Sequence, residues 1–207
     1  MKRKLSWLLM GILAITGVFS VNAAEKTQRE VRREYQELQK NLAWMSEGLS
    51  KLAQSKDRNL NLTTDQKKKL LPLYQELAKR KIVRTKLNKR DQEDSQVGDR
   101  GRRQVDENDP QVKARREKMQ ANLVFGKVQE SKIEKVLTPK QLTFVDNLNF
   151  NAEKYGFFEW KRQGNSGQGG QRQQVDQKEL DARRQKMRQG RAELVKLNLA
   201  LIKMLAK

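Results

Sequence analysis

Between Val31 and Leu52 the apolar residues fall at Val31, Tyr35, Leu38, Leu42, Met45, Leu49 and Leu52. The steps alternate four and three, which makes one face of a helix of about 30 residues, about 45 Å long, continuously apolar. That spacing is the seam of a coiled coil. No strand-like alternation occurs anywhere in the 207 residues, so an all-α chain of long helical hairpins is predicted.

Further helix starts are legible downstream. Thr63 and Gln66 form a capping box before Leu70, Leu73, Tyr74 and Leu77, and the helix is expected to run on through Ile82, Val83 and Leu87 with a bend at Pro72. Asp109-Pro110 opens a third helix with Val112, Met119, Leu123, Gly126, Ile133 and Leu137 on its buried stripe and Val124, Phe125 and Val128 beside it. Thr138, Pro139 and Gln141 start a fourth, expected to present Leu142, Val145, Leu148, Ala152 and Tyr155. A fifth, from Asp176, carries Leu180, Met187, Leu194 and Leu201 at seven-residue spacing. The predicted organisation is a signal peptide over 1–23, a helical domain over 24–162 with a polar linker near 91–109, a Gly/Gln-rich linker over 163–175, and a C-terminal helix over 176–207.

The amino-terminal assignment rests on three features. Lys2, Arg3 and Lys4 are followed by the apolar run Leu5 to Val21, and Val21-Asn22-Ala23 offers small residues for cleavage. The mature chain is expected to begin at Ala24, in the periplasm or elsewhere in a bacterial cell envelope, with no transmembrane anchor after cleavage. Composition then removes whole classes of chemistry. With no His and no Cys there is no disulfide framework, no His general base, no Cys nucleophile and no His or Cys ligand set for a metal. No Gly-rich phosphate cradle is present. Neither an enzyme nor a cofactor is expected. Carboxylate groupings such as Glu34/Glu37 and Asp91/Glu93/Asp94 read as solvated charge rather than a metal site.

Lys and Arg total 45 against 25 Asp and Glu, a net charge of +20. Such a field attracts acidic proteins and polyanions in a salt-dependent way; export argues against nucleic acid as a partner. Seven cations lie within the twelve residues from Lys79 to Arg90 (Lys79, Arg80, Lys81, Arg84, Lys86, Lys89 and Arg90), with no acid among them. Ile82, Val83 and Leu87 are interleaved, and Arg115 and Arg116 add charge on the third helix. These twelve residues are the predicted client-binding surface for non-native proteins, acidic ones among them. Unpaired cations mixed with apolar side chains suit loose capture of flexible chains.

Leu-Thr-x-x-Gln occurs twice, as Leu62, Thr63 and Gln66 and again as Leu137, Thr138 and Gln141, each at the turn of a helical hairpin. With this pair of motifs the chain resembles the Spy/CpxP family of bacterial periplasmic stress proteins, over the signal peptide and about Ala24 to Arg162. The resemblance implies a Spy-like four-helix protomer, a thin antiparallel dimer shaped like a cradle, and a structural role for the six motif residues in pinning the turns. It also implies ATP-independent chaperone activity, or modulation of an envelope-stress sensor. The chain departs from the pattern after Arg162, where the fifth helix is added. The alternatives to a chaperone are a regulatory adaptor of a stress sensor and a polyanion-binding envelope protein. A homodimer is expected for a second reason: the stripe from Val31 to Leu52 is longer than a protomer of this size is expected to cover.

Overall fold

Thr27 starts the first helix, α1 (Gln28–Ala53), through a capping box with Glu30. The computed structural model describes residues 27–87, 109–158 and 177–207. The predicted signal peptide and the cores of both predicted linkers lie outside them. Among the described residues four more α-helices follow: α2 (Thr64–Lys79), α3 (Pro110–Val136), α4 (Pro139–Asp146) and α5 (Gln177–Leu205), with a 3-10 turn at Glu153–Tyr155 before α5. The described residues are all helix, turn or coil, as the apolar spacing requires.

The centre of the molecule is the second half of α1. Leu42, Ala43, Met45, Ser46, Gly48, Leu49, Ser50 and Leu52 are all buried there, too many to lie on one stripe. The helix is wrapped: α3, α4 and α5 all pack against it. From α2 come Leu70, Tyr74 and Leu77, and from α3 Leu123 and Ile133, into the same core. Each such side chain, fully buried, stabilises the fold by about 1.5–3 kcal/mol. The Ser46 and Tyr74 hydroxyls hydrogen-bond at 3.3 Å inside it.

Three expectations need correction. The α1 stripe is covered by its own chain, with Val31, Leu38, Leu42, Met45, Leu49 and Leu52 all buried, so it is not a dimer face. An apolar stripe says that it must be covered, not by which helix, and α5 is one of the covers. The fourth helix stops at Asp146 rather than reaching Tyr155. Asn147, Asn149 and Asn151 follow, and Asn side chains compete with the helix for backbone groups; Asn151 Oδ1 accepts from Lys154 N at 3.1 Å. The second helix ends at Lys79. Its core face is Leu70, Tyr74 and Leu77, and the next positions on that face are Lys81 and Arg84. Continued, the helix would turn two cations inward; broken, it lets Ile82 and Val83 swing into the core instead.

The extra helix is part of this body. Gly190 of α5 crosses the chain at Tyr155 and Gly156, close enough that a Cβ on Gly190 would lie 2.7 Å from Gly156 Cα and 2.8 Å from the Tyr155 carbonyl carbon. Gly156 itself has φ of 79°, the left-handed region in which glycine is favoured.

Candidate client-binding surface

The two Leu-Thr-x-x-Gln copies meet. Thr63 and Thr138 each cap their own helix, accepting from Gln66 N at 3.2 Å and from Gln141 N at 3.3 Å. Each glutamine returns the bond: Gln66 Oε1 accepts from Thr63 N at 3.0 Å and Gln141 Oε1 from Thr138 N at 2.9 Å. The amide nitrogens cross to the opposite turn. Gln66 Nε2 donates to Val136 O at 2.9 Å, and Gln141 Nε2 donates to Leu60 O at 3.1 Å and Asn61 O at 3.2 Å. The side-chain amides also pair with each other, at 2.8 and 3.2 Å. Leu62, Leu137 and Gln141 are buried, whereas the two threonines are exposed. The turns are thus held to each other, a clasp that neither copy can make alone.

Beyond this clasp, at the far end of α2, is the basic segment. Arg80 caps the helix and Lys81 takes a left-handed conformation, φ 61°. Lys81 N donates to Ala78 O at 2.9 Å and Ile82 N to Leu77 O at 2.9 Å. This is a Schellman ending, complete with its apolar contact between Leu77 and Ile82, but with lysine where glycine is usual. Two carbonyls of the segment are tied down from other helices. Gln39 Nε2 of α1 donates to Ile82 O at 3.3 Å, and Asn198 Nδ2 of α5 to Arg84 O at 2.9 Å. Neither residue was singled out from the sequence, because nothing local marks a side chain that serves a distant carbonyl.

The predicted surface divides accordingly. Lys79, Arg80, Lys81, Lys86 and Arg115 are exposed, and Arg84, Leu87 and Arg116 are half-buried. Ile82 and Val83 are buried core residues, so they are not available to a client. Lys89 and Arg90 lie outside the described residues. Lys79, Arg80, Lys81 and Lys86 form no ion pair with any described residue. The Arg80 guanidinium instead lies over the Phe125 ring, 3.8 Å from its centroid, an interaction worth about 0.5–1 kcal/mol at an exposed site. Arg84 is engaged: burial pushes the Tyr35 phenol up in pKa, and the Arg84 guanidinium pulls it back.

Phe125 belongs to a second feature. Ala121, Val124, Phe125 and Val128 form an apolar strip along the outer face of α3, with Val124 59% and Val128 48% exposed. Glu117 and Lys132 bound it. Gln129 also lines this face, yet is only 5% exposed, and its Oε1 has no hydrogen-bond partner.

Among the described residues no group of three or more Asp or Glu side chains could hold a metal ion, and no helix is long and apolar enough to cross a membrane. No family model matches this chain, and neither curated proteins nor solved structures include a significant match.

Proposed function

We propose that this chain is an exported, ATP-independent chaperone that captures unfolded or aggregation-prone proteins through its cationic surface. The observation that carries this is the cluster of exposed cations at the end of α2: Lys79, Lys81 and Lys86 have no ion-pair partner among the described residues. Glu76 lies one turn before Lys79, yet the two form no ion pair, and the segment from Lys79 to Arg90 itself contains no acid to balance its charge. Lys81 adds to the case. A non-glycine residue in the left-handed region costs about 1–2 kcal/mol, and the chain keeps a cation there.

The mechanism is long-range attraction followed by loose contact. The positive field raises the encounter rate with acidic segments. The aliphatic stems of lysine and arginine then supply weak apolar contact, a part that Ile82 and Val83 do not play. Release needs no nucleotide, because a folding client buries the surface by which it was held. The clasped hairpins fit the Spy-like protomer that the paired motifs suggest, with α5 as an addition.

Aggregation suppression without ATP, across several unrelated clients, is the first test. The second is stopped-flow association with an acidic unfolded client. Changing Lys79, Lys81 and Lys86 together to Glu should slow association about tenfold at low salt. Wild-type capture should fall toward 0.5 M salt, where screening leaves a reach of about 4 Å. Equal on-rates for the two proteins at low salt would overturn the proposal. Binding to nucleic acid or anionic vesicles without binding to unfolded proteins would replace it with the polyanion reading.

A further inference from the structure

The last helix, α5, changes character along its length. From Gly190 onward it lies against the rest of the chain, with Gly190, Leu194, Asn198, Leu201 and Leu205 buried. Ahead of Gly190 it does not. Every residue of 181–186 is exposed, on all sides of the helix, and none of 181–189 is buried. Nine residues of helix span about 14 Å. Yet the apolar spacing of the docked half continues into this stretch: Leu201 and Leu194 are preceded, seven residues at a time, by Met187 and Leu180. Beside that spacing Arg183, Arg184, Lys186, Arg188 and Arg191 place five cations within nine residues, with no acid among them. Arg184, Arg188 and Arg191, at steps of four and three, share one flank. Asp181, one of two acids just upstream, pairs with Arg184 at 3.0 Å, so the stretch stays strongly positive.

We propose that the first half of α5 docks on an anionic lipid surface, while its second half ties it to the body. A helix that lies in a membrane interface combines cations with an apolar stripe on one rod, and this half of α5 has both. Four of its five cations are arginine, whose guanidinium grips phosphate oxygens in pairs where an ammonium meets them as a point charge. The exposed cations at the end of α2 are the reverse, with Lys79, Lys81 and Lys86 beside an Arg80 already set over Phe125. Other occupants fit the rod less well. A second copy would bring like charges together, and the phosphates of a nucleic acid have no use for the apolar positions. A lipid surface meets the cations with its headgroups and the apolar positions with its acyl boundary. With two apolar positions against five cations, the hold is mainly electrostatic, reversible and weakened by salt. The crossing of Gly190 over Tyr155 and Gly156, too close for a side chain, fixes where the rod leaves the body.

Co-sedimentation with vesicles tests this, using the mature chain expected to begin at Ala24. One set of vesicles is phosphatidylcholine alone and the other contains about one-third phosphatidylglycerol, both at about 0.1 M salt. The protein should pellet with the anionic vesicles and not with the neutral ones. Each Lys or Arg near such a surface strengthens binding about fivefold. The combined variant R183Q, K186Q and R188Q should therefore bind about a hundredfold more weakly. Its helical circular dichroism should be unchanged, since these side chains are exposed or half-buried. The combined variant K79Q, K81Q and K86Q removes the same charge from the end of α2 and should lose less than about fivefold. Equal losses in the two variants would assign the binding to net charge and overturn the proposal, as would equal binding to the two sets of vesicles. Binding to single-stranded DNA, lost in the α5 variant, without binding to anionic vesicles would overturn it in favour of nucleic acid. Capture of an acidic unfolded client should survive in the α5 variant, so this site and the proposed client surface stand or fall separately. Loss of that capture in the α5 variant, with no vesicle binding by wild type, would make the rod a client arm and overturn the lipid assignment.

Discussion

The clasp and the outer face of α3 use the same kind of group to opposite effect. At the clasp, the Gln66 and Gln141 side chains make all their bonds within one chain, to their own caps, to the opposite turn and to each other. On α3, Gln129 is as buried as many core residues but leaves its oxygen unpaired, beside two exposed valines. One region is closed by the chain itself; the other leaves a buried acceptor without a donor. The difference shows that a buried amide has to be judged by the partners around it, because burial alone looks alike in both.

Substitutions on the closed side should therefore be severe and those on the open side mild. The largest effect is expected at Gly190. The atoms its Cβ would meet belong to the backbone of Tyr155 and Gly156, which cannot rotate away. Gly190→Ala should destabilise by about 3 kcal/mol, read as a fall of about 6–12 °C in Tm. A change of under 1 °C would show that α5 does not dock there.

Next comes the clasp. Gln141→Ala removes the returning half of a capping box, leaves Thr138 N and the Leu60 and Asn61 carbonyls without the partners Gln141 gave them, and strips Gln66 of its cross-turn amide contacts, at about 2–3 kcal/mol. A double-mutant cycle with Gln66→Ala, followed by urea denaturation, should show a coupling of about 1 kcal/mol or more. Additive losses would mean that the two copies act as separate caps. Val124→Ser, on the open face, is the contrast: stability should change by less than about 0.5 kcal/mol.

The smallest effect has the opposite sign. Lys81→Gly relieves the left-handed backbone at the end of α2 and should raise stability by about 0.5–1 kcal/mol, after the greater freedom of glycine in the unfolded chain is deducted. Client association should slow at the same time if this cation takes part in capture. Thermal unfolding and stopped-flow binding of the one variant read both.

How far the sequence discloses the molecule follows from which interactions are local. The caps at Thr63, Asp109 and Thr138 are legible because donor and acceptor lie two or three residues apart. The end of α2 is not marked by glycine or proline; its sign is that the next core-facing positions are Lys81 and Arg84, which becomes decisive only once Ile82 and Val83 are seen to need burial. The α1 stripe announces a long buried face but fits α5 or a second chain equally well. At the candidate site the cations are plain in the sequence, whereas the Arg80–Phe125 stack joins residues 45 positions apart in the numbering and has no local signature.

The clasp joins neutral amides and carbonyls, and so has nothing for salt to screen. Ions around the protein act on Lys79, Lys81 and Lys86, tuning how strongly the surface attracts, while the corner that sets the hairpins in place is indifferent to them. Grip and frame thus answer to different solvent variables. In the proposed function, the hold on a client would loosen as ionic strength rises without any change of shape.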